Sequence, residues 1–214
     1  MKSYQSKSKS NNLTLLSILL FFICSSSIAQ NLTLDNNSEF SYAKFENGYI
    51  VTTHAIKYSL KIPLGFSKID TYNYQAVFNS HPFNVSIATV TSEKILIMVS
   101  AEKVTDSSGI LDYSHFKPVR LSGLDFYMKD DCVKLTEEIF EGATDLRYIK
   151  ENGFDFGSAI YIRHFFKNTI DGTYEYVLNY GELVCDCSDK TIDNRFMREF
   201  NKKLIKNIDL TILK

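Results

Sequence analysis

The chain has 214 residues, with 24 basic and 25 acidic side chains and a formal net charge of −1 at pH 7. This balance argues against nucleic acid or an anionic membrane as the main partner, because both select clustered positive charge. Its 16 phenylalanines and 13 tyrosines favour a folded chain with extensive sheet over a disordered one.

The first 29 residues have the layout of a secretory signal peptide. A basic start is followed by an almost unbroken apolar run from Leu13 to Ile23, and Ser27-Ile28-Ala29 offers small residues for cleavage. The apolar run is too short for a membrane-spanning helix, which needs about 20 residues. We therefore predict cleavage near Ala29/Gln30 and a secreted or periplasmic protein with no transmembrane segment in its mature chain.

An alternative interpretation of the same segment is a lipoprotein acylated at Cys24. Ile23 is unfavourable for that modification, because a small residue is wanted before the cysteine. Beyond the leader, residues 30–41 are polar and predict a loose N-terminal segment. Residues 42–214 are long enough for a single domain with its own core.

The first half of this domain predicts several strands. Apolar residues alternate with polar ones from Ile56 to Ile62, and Pro63 ends the pattern. Residues 75–79 predict a short strand. Residues 85–89 and the dense apolar run 95–99 predict two strands that pair as a hairpin. Another strand is predicted at residues 124–128, followed by a helical or mixed connection over 135–148.

The last third of the chain predicts a hairpin followed by a helix. Residues 159–166 and 173–184 are rich in aromatic and β-branched residues, and Asp171-Gly172 between them is a turn signal. Tyr174, Tyr176, Leu178 and Tyr180 share one face of the second arm. After a cap at Ser188 or Asp189, apolar residues recur every four positions, at Ile192, Phe196, Phe200 and Leu204.

These elements predict an α+β fold. Its antiparallel sheet carries the amphipathic C-terminal helix on one face, as a two-layer sandwich. The segment YSLKIPLGF (58–66) and the hairpin and helix of residues 159–208 resemble the PsbP-like family of secreted or lumenal α+β domains. The resemblance implies a compact accessory or binding domain, and it transfers no catalytic residue to this chain.

Three cysteines outside the leader are candidates for a disulfide. Cys185 and Cys187 stand one residue apart, and Cys132 is the third. A zinc site normally needs four ligands, and a redox pair usually has two intervening residues. In an oxidising compartment we therefore predict a bridge from Cys132 to either Cys185 or Cys187, with free thiols and metal or redox chemistry as the alternatives.

Other polar clusters give weaker indications of chemistry. His54, His81, His115 and His164 lack the spacing of a metal site on one helix face, and His164 is interpreted as a packed or surface strand histidine. The loop of residues 106–115 combines serine, acid and histidine, but closeness in sequence does not support a catalytic triad. The acids Asp130, Asp131, Glu137, Glu138 and Glu141 do not follow a calcium-loop spacing. No catalytic, cofactor or metal residue is assigned.

Two functional hypotheses follow. The first is a secreted, non-enzymatic domain that binds an unknown protein or small-molecule partner, without a cofactor. The alternative is a secreted, hydrolase-like enzyme with a site that no motif marks. A cleft with converging groups and a perturbed histidine or acid favours the enzyme, whereas a smooth sheet face with exposed aromatics favours binding.

Overall fold

The computed structural model describes residues 40–78, 80–106 and 112–213. The predicted leader and most of segment 30–41 lie outside these ranges. Strands account for 51% of the described residues and helices for 17%. The strands are β1 Ala43–Glu46, β2 Tyr49–Thr52, β3 Tyr58–Lys61, β4 Ser67–Phe78, β5 His81–Thr91, β6 Ile95–Val104, β7 Lys117–Leu121, β8 Leu124–Lys134, β9 Ala159–Asn168, β10 Tyr174–Val184 and β11 Leu210–Ile212. The helices are α1 Glu137–Gly142, α2 Thr144–Glu151 and α3 Asn194–Asn207.

The strands form two antiparallel sheets. The larger has seven strands in the order β4-β5-β6-β10-β9-β8-β7, and the smaller has four in the order β1-β2-β3-β11. The predicted hairpins β5–β6 and β9–β10 are both present. They meet at the centre of the large sheet, where β10 pairs with β6 in a nine-residue register from Tyr174↔Lys103 to Glu182↔Ile95.

One face of the large sheet packs on the small sheet and on α3. Tyr176, Leu178 and Tyr180 lie on this face as the sequence predicted, and they are fully buried. Phe200 of α3 is 0% exposed and contacts Tyr161 and Tyr180 edge to face at 4.9 and 5.2 Å between ring centroids. The predicted amphipathic C-terminal helix is therefore present, and it buries its aromatic stripe on the sheet.

An arginine connects the large sheet to α3 on the same face. Arg163 of β9 donates to both carboxylate oxygens of Asp130 on β8, at 2.6 and 2.8 Å. It also donates to Asn201 Oδ1 of α3 at 2.5 Å, and its guanidinium lies over the Phe200 ring. This planar group can bridge three elements because its donors form a rigid fork.

The opposite face of the large sheet packs on α1 and α2. Leu146 and Ile149 of α2 are buried against apolar residues of the sheet, including Ile160 and Ile162 of β9. Tyr148 stacks on Tyr72 of β4 at 4.3 Å between centroids, which holds α2 against the edge strand. Among the described residues, no helix is long and apolar enough to cross a membrane.

The predicted fold class is wrong. The chain is mostly β, with two antiparallel sheets and three short helices in the described ranges, and it is not a two-layer α+β sandwich. The error has a physical origin in β1, β2, β7 and β11, which have only three to five residues each. Their stability depends on pairing with distant neighbours, as when Leu210 of β11 lies opposite Leu60 of β3, so a local pattern does not reveal them.

The predicted cap of the C-terminal helix is also wrong. Asp193, and not Ser188 or Asp189, is the N-cap of α3, and its carboxylate accepts from the Phe196 amide at 2.7 Å. Ser188 lies in the preceding turn, where its carbonyl accepts from the amides of Thr191 and Ile192. Serine and aspartate are both favoured N-cap residues. The residue type alone therefore could not identify which of these positions begins the helix.

Candidate functional site

A cavity of about 300 Å³ lies between the large sheet and the junction of α1 and α2. We call it the carboxylate cavity after four of its lining residues, Glu102, Asp131, Asp145 and Glu175. The lining also includes Gln75, Val77 and Gly142, which are exposed, so the cavity meets solvent between β4 and the helix junction.

The cavity exists because the inward face of the large sheet changes character along its strands. On β6, Leu96 and Met98 are followed at the same parity by Ser100 and Glu102. On β10, Val177 is flanked at that parity by Glu175 and Asn179. The apolar ends of these strands are covered by α1 and α2, whereas the polar ends line the cavity.

Two glutamates lie side by side on this polar part of the sheet. Glu175 and Glu102 are direct cross-strand partners on β10 and β6. Burial raises the pKa of Glu102 to about 7, although the hydrogen bond from Ser100 Oγ, at 2.6 Å, opposes the change. Burial and the neighbouring charge of Glu102 raise the pKa of Glu175 well above its ordinary value. Both carboxyl groups are therefore harder to ionise than an exposed glutamate.

Glu175 has an unusual environment for a buried acid. The residue is 4% exposed, and its Oε1 atom makes no hydrogen bond with any described residue. Tyr113 forms a hydrogen bond with the same carboxyl group. No arginine or lysine of the described residues forms an ion pair with Glu102 or Glu175. A buried carboxylate oxygen without a partner is costly. This atom can therefore accept a hydrogen bond from a molecule bound in the cavity.

A lysine and a histidine of the cavity both lie against another acid, Asp131 of β8. Lys129 Nζ lies 2.8 Å and His164 Nε2 lies 3.3 Å from Asp131 Oδ2. Burial tends to raise the pKa of Asp131, but hydrogen bonds and charge from His164 and Lys129 outweigh it and lower that pKa below its usual range. His164 Nδ1 lies 2.6 Å from Asn179 Oδ1. Both ring nitrogens of His164 thus face oxygen atoms.

The fourth acid approaches from the helical layer. Asp145 in the first turn of α2 accepts from the Leu146 amide at 2.8 Å. Burial raises its pKa, which the backbone hydrogen bonds and the charge of His164 reduce only in part. The cavity therefore combines four carboxyl groups with two cationic or titratable nitrogen groups, and it is acidic overall.

Aromatic and apolar side chains complete the wall. Tyr113 stacks on Phe166 at 4.5 Å between ring centroids, and Phe78 contacts Phe83 at 5.3 Å. Met98 and Val177 also line the cavity. The site therefore has a charged part and an aromatic part, which is a common arrangement for binding small organic molecules.

The cysteine prediction has a specific outcome. Cys132 and Cys187 lie at disulfide distance, with Sγ atoms 2.13 Å and Cα atoms 5.6 Å apart, and Cys185 is an exposed free cysteine. The expectation that Cys132 approaches one of these two cysteines is confirmed, and Cys187 is the partner. The bridge ties β8 to the segment that leads into α3.

Among the described residues, no group of three or more histidine, cysteine or acidic side chains has the arrangement of a metal site.

The remaining predicted candidates do not form one site. His54 is buried, and its Nε2 lies 2.8 Å from the Glu175 carbonyl oxygen on the sheet face opposite the cavity. Asp112 and Ser114 form a local turn through a 2.8 Å hydrogen bond, while Ser107 and Ser108 lie outside the described residues. Of the acids considered for calcium, Asp130 pairs with Arg163, and Glu137, Glu138 and Glu141 are exposed on α1. Only Asp131 enters the cavity.

Sequence reasoning missed Glu102, Glu175 and Asn179. The sequence held an indication of them, because each occupies an inward position in a strand that consists mostly of apolar and aromatic residues. Alternation with polar residues was compatible with a strand that faces solvent on one side. Here both faces are covered, so those polar residues point into the protein.

Comparison of the chain with models of protein families, with curated proteins and with solved structures found no match. The resemblance to PsbP-like domains therefore stays a prediction.

Proposed function

We propose that the protein is an exported binding domain that takes up a small organic molecule in the carboxylate cavity. The observation that carries this proposal is Glu175 Oε1, a buried carboxylate oxygen without a hydrogen bond to any described residue, in a cavity of about 300 Å³. A ligand that donates a hydrogen bond to this oxygen removes a cost of about 1 to 3 kcal/mol. The aromatic wall supplies apolar contact for the rest of the ligand.

The cavity has the converging acids that we associated with an enzyme, so a hydrolase is the second candidate. The specific observation in its favour is Glu102, because a carboxyl group with a pKa of about 7 suits a general acid. His164, the natural choice for a base, already contacts Asn179 and Asp131 through its two ring nitrogens. This arrangement fits a structural histidine better than a proton acceptor, and it favours binding over catalysis.

Export is part of the proposal. The leader-like residues 1–29 and the Cys132–Cys187 pair both support it, because disulfides persist in oxidising compartments. N-terminal sequencing of material from the medium or periplasm should begin at Gln30. Exported protein that retains Met1 contradicts the cleavage, and attachment of lipid to Cys24 would establish the lipoprotein alternative.

The binding proposal is tested on protein purified from its producing cell. Native mass spectrometry should detect a bound small molecule, and thermal denaturation against a library of polar-aromatic compounds should find stabilising ligands. Ala76→Phe places a large ring in the cavity lining and should abolish both signals. Thr71→Phe makes a similar enlargement on the same strand outside the lining and should preserve them.

Two results decide against this proposal. Wild-type protein that carries no small molecule and is stabilised by no compound overturns binding. Hydrolysis of a library substrate that is lost in Glu102→Gln and retained in Glu93→Gln establishes the second candidate instead, because Glu93 is exposed in the β5–β6 turn.

A further inference from the structure

The charges in the carboxylate cavity are unevenly distributed. Lys129 and His164 both lie against Asp131. Asp145 is held by the backbone amide at the start of α2. Glu102 and Glu175 form no ion pair with the described lysines and arginines. The missing charge in this part of the cavity is therefore positive.

The placement of the two glutamates defines where such a charge would sit. Direct cross-strand partners have Cβ atoms about 4.5 to 5.5 Å apart, and like charges in this relation repel. A cation between the two carboxyl groups relieves that repulsion and can donate to the unpartnered Glu175 Oε1. An alkylammonium group has three donors and no acceptor, so it can donate to Glu175 Oε1 and to an oxygen of Glu102 together.

The remainder of the cavity suits an apolar group attached to that cation. Phe83, Met98, Phe166 and Val177 line it together with Tyr113. A volume of about 300 Å³ is roughly tenfold the share of one water molecule in the liquid. The space is therefore too large for a lone ion and accommodates an organic molecule with one ring. Aromatic faces add a favourable interaction with the cation itself.

We infer that the ligand of the carboxylate cavity is a small aryl-alkyl or alkyl amine. Its ammonium group lies between Glu102 and Glu175, and its apolar part lies against Phe83, Met98 and Phe166. This inference rests on the proposed binding function and specifies the ligand class.

The raised pKa values of the two glutamates make this binding depend on pH. An ammonium group favours the ionised form of Glu102, whose pKa is raised to about 7, so uptake near that pH releases protons and affinity rises between pH 6 and pH 8. The titratable and charged groups that line the cavity around the pair are Tyr74, Tyr113, Lys129, Asp131, Asp145 and His164. Of these, the pKa of Asp131 is lowered and the pKa values of both tyrosines are raised, so these three groups keep their charge state across that range.

Isothermal titration calorimetry with three probes of similar size tests the inference. The probes are 2-phenylethylamine, 2-phenylethanol and phenylacetate, which are cationic, neutral and anionic. The amine should bind at least about tenfold more tightly than the alcohol at pH 8, since hydrogen bonds to charged groups are the stronger ones. Phenylacetate should show no binding. The affinity for the amine should fall at pH 6, and titration at pH 7 in buffers of different ionisation enthalpy should reveal proton release.

Substitutions test whether Glu175 binds the ammonium group. Glu175→Gln keeps the shape of the side chain and should weaken amine binding by about 10- to 100-fold while leaving any alcohol binding unchanged. Glu93→Gln, the same replacement at an exposed position, should bind the amine like the wild type. Thermal denaturation of each variant establishes that it is folded.

The outcomes separate this inference from the proposed function. Tighter binding of the alcohol or of phenylacetate overturns the amine but leaves a ligand-binding cavity. Equal binding of the amine by wild type and Glu175→Gln also overturns it. Absence of binding for all three probes overturns the amine class. The proposed function falls only if the mass-spectrometric and library experiments fail as well.

Discussion

The two faces of the large sheet are built from alternate residues of the same strands, and they differ in what they bury. Toward α3 and the small sheet, β10 presents Tyr176, Leu178 and Tyr180, and this face is packed with aromatic and aliphatic side chains. Toward the cavity, the same strand presents Glu175 and Asn179. A shift of one residue along the strand therefore changes the environment from a filled core to an acidic cavity.

This difference separates the sources of stability from the sources of function. The face toward α3 and the small sheet gains free energy from apolar burial. The cavity face holds two neighbouring carboxyl groups, the buried Glu175 and the partly buried Glu102, which lowers stability in the unliganded protein. Such a cost is expected at functional sites, where a residue is kept for what it does to a ligand. Substitutions on the two faces should therefore have opposite effects on the free energy of unfolding.

The largest expected effect on stability belongs to the face that packs on α3 and the small sheet. Phe200→Ala should lower the free energy of unfolding by about 3 to 5 kcal/mol, because its fully buried ring leaves a cavity between β9, β10 and α3. Chemical denaturation measures the change. Ile205→Ala on the exposed side of the same helix is the control, with an expected change within about 0.5 kcal/mol. Equal effects of the two substitutions would contradict the packing of α3.

The disulfide should be the next largest contribution. Cys187→Ser removes a link between residues 55 apart in sequence and should cost about 2 to 4 kcal/mol. Cys185→Ser is a matched control, because that cysteine is exposed and outside the bridge. Denaturation under non-reducing conditions, together with thiol counting, measures both. A greater loss from Cys185→Ser than from Cys187→Ser would indicate that Cys185 is the partner of Cys132.

The cavity face should respond in the opposite direction. Burial gives Glu102 a higher pKa in the folded than in the unfolded protein, so the folded state binds more protons and stability falls as pH rises toward about 7. Glu102→Gln removes this penalty and should raise the free energy of unfolding by roughly 1 to 3 kcal/mol at pH 8. The gain should become small below about pH 5. Destabilisation at pH 8 would show that the carboxylate is compensated in the folded protein.

The smallest expected effect concerns the start of α3. Asp193→Ala removes the side chain that accepts from the Phe196 amide and should cost about 1 kcal/mol. Ser188→Ala, at the position that the sequence favoured as a cap, should change stability less. Urea denaturation of the two variants distinguishes them, and a greater loss at Ser188 would place the functional cap there.

The strands that could be predicted were those with many apolar residues and a turn signal between them. Residues 95–99 and the arms around Asp171-Gly172 have these properties, and both hairpins were predicted correctly. The register of β10 against β6 could not be derived, since it joins segments more than 70 residues apart. The two-layer description failed because the short strands of the small sheet carry too little local signal.

The cavity was less accessible to sequence reasoning than the fold. Its acids come from β6, β8, β10 and α2, and no motif spans these elements. Glu102 and Glu175 become neighbours only through the pairing of β6 with β10. The acidic residues considered for metal binding were adjacent in sequence, and only Asp131 faces the cavity. Proximity along the chain was thus a poor guide to proximity in the sheet.

The position of β11 has a consequence for how the chain acquires its structure. This strand is the last element of the described residues in chain order, and it completes the small sheet by pairing with β3, about 150 residues earlier in the chain. Until residues 210–212 arrive, one edge of β3 has unpaired amides and carbonyls. A chain in which β11 has not yet paired therefore carries an open template for strand addition. Truncation before Leu210 would make that exposure permanent and favour pairing between molecules.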